Sequence, residues 1–334
     1  MLFPSLAALP KRLILSALFS SFCLSVGAQS VTPTPSSKEQ AKPVQAKTSL
    51  ARAVKTKLPS SRVQGLLFEI TQADAEKSAK KSYLFASIHV AKADFYPLSL
   101  PVQNAYHQAD TVAVEADSSD EAANRNMVAK LSYVAPDRLQ AHISPVTWDL
   151  LQSMTGSAVE QFQTYTPIMV AMGLTVSVGM QLGYDPAQSL DLHFINASKK
   201  DKKPLLELEG LEFQAGVLAS LSDEEGNATL SNTLNSFRQG AVAKELNRIA
   251  TAWKAADAQG LAKILMDAGN RDEGAKKLMK SLMEERNAGI AEKILEQIRA
   301  GKSLFAVVAA GHLAGENNLI EALQRQGLQV KQIK

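Results

Sequence analysis

Cysteine is almost absent from this sequence, which has one, Cys23, in 334 residues. A single cysteine excludes an intrachain disulfide, and it excludes a zinc site built from several thiolates. Aromatic residues are also few, at 6% of the chain, and charge of neither sign dominates, because the formal net charge is +3. The composition is otherwise that of a globular protein, and the length suffices for one large domain or two small ones.

Long uninterrupted apolar runs are missing as well. A membrane-spanning helix needs about 20 apolar residues, and the two uncharged apolar stretches, residues 13–24 and 168–182, are shorter than that. The second is interrupted by small residues such as Gly173 and Ser177, so we interpret it as a buried core helix that begins near Pro167. The sequence therefore predicts no transmembrane span in the mature chain.

The first apolar stretch belongs to a leader. Residues 1–28 contain two bases and no acid, and small residues stand at Val26 and Ala28. A basic start, a short apolar middle and small residues before the cut are typical of a secretory signal peptide, cleaved here after Ala28. An uncleaved membrane anchor is the main alternative. Cleavage would remove Cys23, and with it thiol catalysis, and it implies export across the inner membrane to the periplasm or the medium.

A segment of unusual composition follows the leader. Residues 29–62 are rich in Pro, Ser, Thr, Gln and Lys, and they contain seven bases and one acid. Such a segment cannot bury enough apolar surface to offset its ordering entropy, so we predict a disordered linker. The remaining residues, 63–334, have a net charge of −5. With the bases concentrated in the linker and no basic helix in the rest of the chain, we expect no nucleic-acid partner.

The apolar pattern of residues 63–334 predicts an α/β protein. Strands at both ends of this region should share one sheet, which favours a single domain with a mixed central sheet and a large helical insertion. The predicted strands are 65–71, 82–89, 111–115, 204–208, 303–310 and 328–333, and the predicted helices are 98–109, 120–133, 144–154, 168–182, 190–200 and 318–326, with a nearly all-helical stretch from 211 to 300.

Three residues at predicted strand ends could together bind a metal. His89 and Glu115 end their strands, and His312 follows a strand closely. Ligands of open α/β sheets bind beyond the carboxyl ends of the strands, and two imidazoles with one carboxylate suit a divalent cation. Such an ion would activate water near neutral pH, with Glu115 as a ligand or as the base. The alternative is that the histidines are structural hydrogen-bonding residues and that Glu115 is the first solvated residue after its strand.

Other catalytic signatures are absent. There is no Gly-x-Gly-x-x-Gly, no His-Glu-x-x-His and no Gly-x-Ser-x-Gly in the sequence. The segment Gly301-Lys302-Ser303 lacks the earlier glycine of a phosphate-binding loop, because Glu296 stands at that position.

Taken in order, several segments resemble the motifs of the TraB/GumN family, which includes the Tiki-type metalloproteases. The likeness extends over about residues 63–334. The matching segments are Tyr83-Leu-Phe-Ala-Ser-Ile-His89, Tyr96-Pro-Leu98, Val112-Ala-Val-Glu115, Gly183-Tyr-Asp-Pro186, Leu190-Asp-Leu-His-Phe194, Lys203-Pro-Leu-Leu-Glu-Leu-Glu209, Gln214, Arg286-Asn287 and Val308-Ala-Ala-Gly-His-Leu-Ala-Gly315.

The resemblance implies a fold of Tiki/erythromycin-esterase-like architecture and a divalent-metal-dependent hydrolysis of peptide bonds. It implies that His89 and His312 are metal ligands and that Glu115 is a ligand or the base, with Mn, Co or Zn as the ion. Two departures matter. Ala86 and Ala309 replace the leading glycines of the family's two Gly-x-x-His motifs, and an added methyl group can crowd a metal or a substrate.

Two further residues are candidates for the same site. Glu207 and Glu209 alternate on a strand and so point to opposite faces, and Glu209, at the strand's end, is the better candidate ligand. Arg286 could bind a substrate carboxylate or orient Glu115, or it could form an ordinary salt bridge on a helix surface. His193 is interpreted as structural.

These observations predict an extracytoplasmic hydrolase, peptidase-like, that acts on a peptide or protein substrate. The alternative is a catalytically inactive envelope factor that assists polysaccharide export or assembly. The sequence leaves the substrate and the oligomeric state undetermined.

Overall fold

A computed structural model of the chain describes residues 63–72, 80–270 and 273–334. The predicted signal peptide and linker lie outside the described residues. Within them, six strands form one mixed sheet, in the order β4-β3-β5-β2-β1-β6. The strands are β1 (Leu66–Gln72), β2 (Ser82–Ser87), β3 (Thr111–Val114), β4 (Leu205–Glu207), β5 (Leu304–Ala309) and β6 (Leu328–Ile333).

The sheet has a parallel half and an antiparallel half. Strands β4, β3, β5 and β2 are parallel neighbours, whereas β1 pairs antiparallel with both β2 and β6. Strands from the beginning and the end of the described chain therefore share one sheet, as the sequence predicts. The predicted α/β class with a mixed sheet is confirmed.

Helices fill the connections of this sheet. Their bounds are α1 (Leu100–Gln108), α2 (Glu121–Lys130), α3 (Pro145–Thr155), α4 (Pro167–Gln181), α5 (Leu190–Asp201), α6 (Leu211–Ala219), α7 (Asp223–Arg238), α8 (Ala241–Lys254), α9 (Ala258–Gly269), α10 (Glu273–Met279), α11 (Glu285–Arg299) and α12 (Leu319–Arg325). The stretch predicted as nearly all helix from 211 to 300 is thus a series of separate helices. A π-helical segment, Lys280–Glu284, joins α10 to α11.

Local sequence explains where several helices begin. Ser144 caps α3 by accepting from the amide of Thr147, and Pro145 occupies the first helical position. Helix α7 begins with a capping box, in which Ser222 and Glu225 satisfy each other's backbone amides. In both helices, polar side chains accept hydrogen bonds from backbone amides that have no partner within the helix.

Helix α4 is the apolar stretch predicted as a core helix. It is 15 residues long, and nine of its residues are buried. It packs against α7 and α8. Among the residues that the structure describes, no helix combines the length and the apolar character needed to cross a membrane.

The main core lies against the sheet. Strand β5 is buried along its whole length, which confirms the prediction of a strand covered on both faces. Phe85 of β2 packs on Phe305 and Trp253, with ring centroids 5.7 and 5.9 Å apart. The indole Nε1 of Trp253 donates to the Ala86 carbonyl at 2.7 Å. Helix α8 is thereby fixed to the centre of the sheet.

One strand is shorter than predicted. The sequence places His89 at the end of its strand, but β2 ends at Ser87. The reason is that the parallel partner of Ser87 is Ala309, the last residue of β5. Beyond it β2 has no ladder partner on that side, and His89 lies two residues past the strand.

Candidate functional site at the carboxyl edge of the sheet

The three candidate residues follow three adjacent parallel strands. The order β3-β5-β2 places their carboxyl ends at one edge of the sheet. Glu115 follows β3 directly, His89 lies just beyond β2, and His312 lies in the short 3₁₀ turn Ala310–Leu313 after β5. A cavity of about 410 Å³ opens at this edge, lined by His89 and Glu115 among others, whereas His312 is fully buried.

Glu115 is buried and held by several donors. Its Oε1 accepts from the backbone amide of Ala309 at 2.6 Å, and its Oε2 accepts from Arg286 at 2.9 Å and from Gln214 at 3.1 Å. Burial alone would raise the pKa of Glu115, but His312, Arg286 and His89 together lower it well below its ordinary value. The carboxyl group is therefore ionised at neutral pH, and its direction is fixed.

Arg286 joins Glu115 to Glu209. Its Nε donates to Oε1 of Glu209 at 2.8 Å, and one terminal nitrogen donates to both Glu209 Oε2 and Glu115 Oε2. Only 10% of the Arg286 side chain is exposed. Arg286 thus lies inside the site and is not part of a helix-surface salt bridge. Both oxygens of Glu209 are occupied by this contact.

The two ring nitrogens of His312 differ in their contacts, because one makes a hydrogen bond and the other only faces a carboxylate. Its Nδ1 lies 2.7 Å from Oδ1 of Asn287. The amide nitrogen of Asn287 donates to the Asn317 carbonyl at 2.9 Å, so its oxygen faces the imidazole and Nδ1 is the donor. Nε2 is buried, makes no hydrogen bond, and lies 3.5 Å from Oε2 of Glu115. A buried ring nitrogen without a partner requires an explanation.

His89 is oriented in the same manner. Its Nδ1 donates to Asp191 at 3.0 Å, and the other oxygen of Asp191 accepts from the Ser87 hydroxyl at 2.6 Å. Burial alone would lower the pKa of His89, but Asp191, with a smaller contribution from Glu115, raises it to about 9. The side chain is 44% exposed and lines the cavity. Nε2 is therefore the nitrogen that could bind an ion, and binding would displace its proton.

Neither alanine of the two motifs strains the backbone. Ala309 has φ −58° and ψ 139°, and Ala86 lies within regular β2. Neither is among the residues with positive φ, so a glycine's conformational freedom is not needed at either position. Ala86 is buried in the strand and Ala309 lines the cavity.

The donor atoms fit a divalent ion in part. Two ligands about 2.1 Å from one ion at a tetrahedral angle are roughly 3.4 Å apart, close to the 3.5 Å between His312 Nε2 and Glu115 Oε2. Both imidazoles donate a hydrogen bond from Nδ1 to an oxygen acceptor, which is the usual arrangement of metal-binding histidines. Yet no group of three His, Asp or Glu side chains in the described ranges is assembled to hold a metal. The pair fits an ion, and the full ligand set is not preformed.

Sequence reasoning missed Asp191 and Asn287 as partners of the two histidines. Asp191 lies two residues before His193 on α5, and positions i and i+2 do not share a helix face. Accordingly Asp191 reaches His89, whereas His193 packs on the Tyr96 ring at 4.9 Å. Two features of the sequence could have identified these partners. Asp191 lies in the same motif as His193, and Asn287 directly follows Arg286.

Comparisons with known proteins identify the family of this chain. The sequence model described as the TraB/PrgY/gumN family matches residues 67–332. An uncharacterized protein YbaP from Shigella flexneri is 29% identical over 249 residues, which is 73% of this chain and 88% of the relative. An uncharacterized protein YbaP from Escherichia coli K12 is 29% identical over 246 residues, which is 72% of this chain and 87% of the relative. No solved structure matches the chain. Because the family model spans most of the chain, the protein belongs to the TraB/PrgY/gumN family.

Proposed function

We propose that this protein is a divalent-metal-dependent hydrolase whose ion is held by His89, His312 and Glu115. The observation that supports the proposal most is the position of His312 Nε2, which is buried, makes no hydrogen bond within the described residues, and faces the Glu115 carboxylate at 3.5 Å. An ion at this point would satisfy that nitrogen and use the ionised carboxylate. His89 would supply the third donor through its own Nε2.

The roles of the surrounding side chains follow from their contacts. A bound divalent ion supplies Lewis acidity, which polarises a carbonyl and activates water near neutral pH. Asn287 and Asp191 orient the two imidazoles through Nδ1, and this fixes which nitrogen faces the ion. Arg286 and Gln214 hold the Glu115 carboxylate. We therefore assign Arg286 as a positioning residue, with Glu209 holding the guanidinium.

We propose acyl bonds, in particular peptide bonds, as the bonds hydrolysed. The resemblance to the Tiki-type members of the family supports a peptide or protein substrate. The cavity reaches His89, Glu115 and Arg286, so a carbonyl group bound in it would lie beside the proposed ligands.

Metal content tests the proposal. The full chain, reconstituted separately with Mn²⁺, Co²⁺ and Zn²⁺, is expected to retain about one ion per chain by mass spectrometry of the eluted metal. His89→Ala and His312→Gln should each lower the bound fraction at least tenfold. His107→Ala is the matched control, because His107 lies on α1 and does not line the cavity. Loss of ion in the control alone, or equal retention in all variants, would contradict the proposal.

Location outside the cytoplasm is also proposed. It is supported by the basic, apolar and small-residue order of residues 1–28. Sequencing of the amino terminus of the mature protein tests it, since cleavage after Ala28 would leave Gln29 as the first residue. An intact Met1 in the membrane fraction would instead indicate an uncleaved anchor.

A catalytically inactive envelope factor is the second candidate function. It is favoured by one observation, that Arg286 already pairs with both Glu115 and Glu209 and so compensates part of their negative charge without a metal. The same metal measurement separates the two candidates. The inactive factor would be supported by a chain that retains no ion and whose melting temperature does not change when chelator or metal is added.

A further inference from the structure

The cavity beside the proposed ligands has two unlike ends. At the sheet edge it presents the polar side chains of His89, Glu115, Asp191 and Arg286. Away from that edge α4, α6, the end of α10 and the π-helical segment line it with aliphatic and thioether side chains. Representative members are Ile168, Met172, Val176, Val217, Leu278 and Leu282. The reactive groups thus lie at one end of a largely apolar chamber.

The hydroxyl groups in the apolar walls are already used. Thr175, Thr229 and Thr233 line the cavity, and each donates its hydroxyl proton to a carbonyl of the preceding helical turn at 2.8 Å. These protons are therefore not available to a ligand. A bound group at this end gains contact with methyl and methylene groups, and a carbonyl oxygen of that group would find no hydroxyl proton among these threonines.

A peptide chain is a poor occupant of this apolar end. An extended peptide needs hydrogen-bonding partners for its backbone, which enzymes and binding domains commonly supply from a free strand edge. The edge strands of the sheet are β4 and β6, and no residue of either lines the cavity. A hydrocarbon chain has no polar groups that need hydrogen-bonding partners, and the free energy gained by burying it increases with its length.

We infer that the apolar end binds the aliphatic chain of an acyl group whose carbonyl lies beside His89 and Glu115. This inference rests on the proposed hydrolase function but replaces the peptide substrate that the family resemblance supports with an ester or amide of a medium-length fatty acid. In the reaction the oxygen of water bonds to the carbonyl carbon and the bond from that carbon to the alcohol or amine breaks. The leaving group departs with one proton from the water, and the fatty acid is released.

Chain-length dependence tests the inference. The metal-loaded full chain is assayed with p-nitrophenyl esters from acetyl to dodecanoyl, and laurate binding is measured separately by titration calorimetry. Each buried methylene is expected to raise kcat/KM by up to about fourfold, the equivalent of ~0.8 kcal/mol. Thr175→Phe and Val176→Phe place bulk in the cavity at half-buried positions of α4 and should abolish both this dependence and laurate binding. Met180→Phe, exposed on the same helix and outside the cavity lining, is the matched control.

The outcomes separate this inference from the proposed function. Laurate binding that Thr175→Phe and Val176→Phe abolish, without hydrolysis of any ester, fatty amide or peptide by the metal-loaded chain, supports the acyl site and overturns the hydrolase. Ester hydrolysis that is indifferent to chain length, with no laurate binding, overturns the acyl site and leaves the hydrolase standing. Cleavage restricted to peptides with large apolar side chains also overturns the acyl site.

Discussion

At the scale of single residues, the site is a set of buried charges that satisfy one another. Arg286 contacts both Glu115 and Glu209, and all three side chains are at most 10% exposed. Burying charged groups is costly unless they are paired and hydrogen-bonded. The arrangement therefore holds the carboxylates in place but makes the fold dependent on the guanidinium.

Removing that guanidinium should destabilise the protein strongly. Arg286→Met leaves two buried carboxylates without their cation and is expected to lower the free energy of unfolding by about 3–5 kcal/mol, measured by urea denaturation. Arg299→Met, exposed near the end of the same helix, is the matched control and should change it by less than about 0.5 kcal/mol. Equal effects of the two substitutions would refute the account of this ion cluster.

A second histidine cluster gives a pH-dependent stability. His142 lies between Asp137 and Asp223, with both ring nitrogens 2.8 Å from a carboxylate oxygen, and it stacks on Tyr133 at 4.2 Å. Partial burial alone would lower the pKa of His142, but the two carboxylates raise it above its ordinary value of 6.5. The charged His142 imidazole, paired with the two carboxylates, therefore stabilises the folded state. This stabilisation is fully present below pH 6.5 and is lost as the pH rises through the folded-state pKa of His142.

His142→Phe tests this contribution, because phenylalanine keeps the ring stacked on Tyr133 but cannot be charged. The difference in unfolding free energy between wild type and variant should be larger near pH 6 than near pH 9, measured by denaturation at each pH. A difference that stays constant, or grows with pH, would show that the two carboxylates do not stabilise the imidazolium.

At the scale of elements, the π-helical segment Lys280–Glu284 and the turn after β5 fit closely together. Gly315 has φ +85°, and a Cβ added there would lie 2.7 Å from Oε1 of Glu284. Asn287, on the helix that follows the π-helical segment, holds His312 of the same turn. The close approach of these two elements therefore positions both the histidine and Arg286.

Two glycine substitutions test this close approach. Gly315→Ala forces an unfavourable backbone conformation and requires the Glu284 carboxylate to move aside, and it should lower the unfolding free energy by about 1–3 kcal/mol. Gly289→Ala is the matched control on α11, where nothing lies within 4 Å of the added methyl group, and it should raise stability by up to about 1 kcal/mol. Thermal unfolding of both variants measures the effects. A neutral Gly315→Ala would contradict the claim that the positive φ at this position constrains the backbone after β5.

At the scale of the whole molecule, sequence periodicity predicts the six strands along the chain and the single mixed sheet that they share, but not the order of the strands within that sheet. The run of apolar residues in β5 and the capping residues of α3 are local signals, and the structure agrees with both. Contacts between distant segments were harder to predict. The pairing of Asp191 with His89, 102 residues apart, depends on how α5 packs beside the sheet, and no local pattern encodes that distance. The end of β2 likewise depends on where its partner β5 stops.

The most direct test of the central claim is the position of a bound ion. Crystals of the protein grown with saturating Mn²⁺ would be measured by anomalous diffraction. We expect one peak about 2.0–2.3 Å from both His312 Nε2 and Glu115 Oε2, with His89 as a further ligand. An absent peak at that place, with Arg286 still bonded to Glu115 and His312 Nε2 still unpartnered, would contradict the claim that these residues form a metal site.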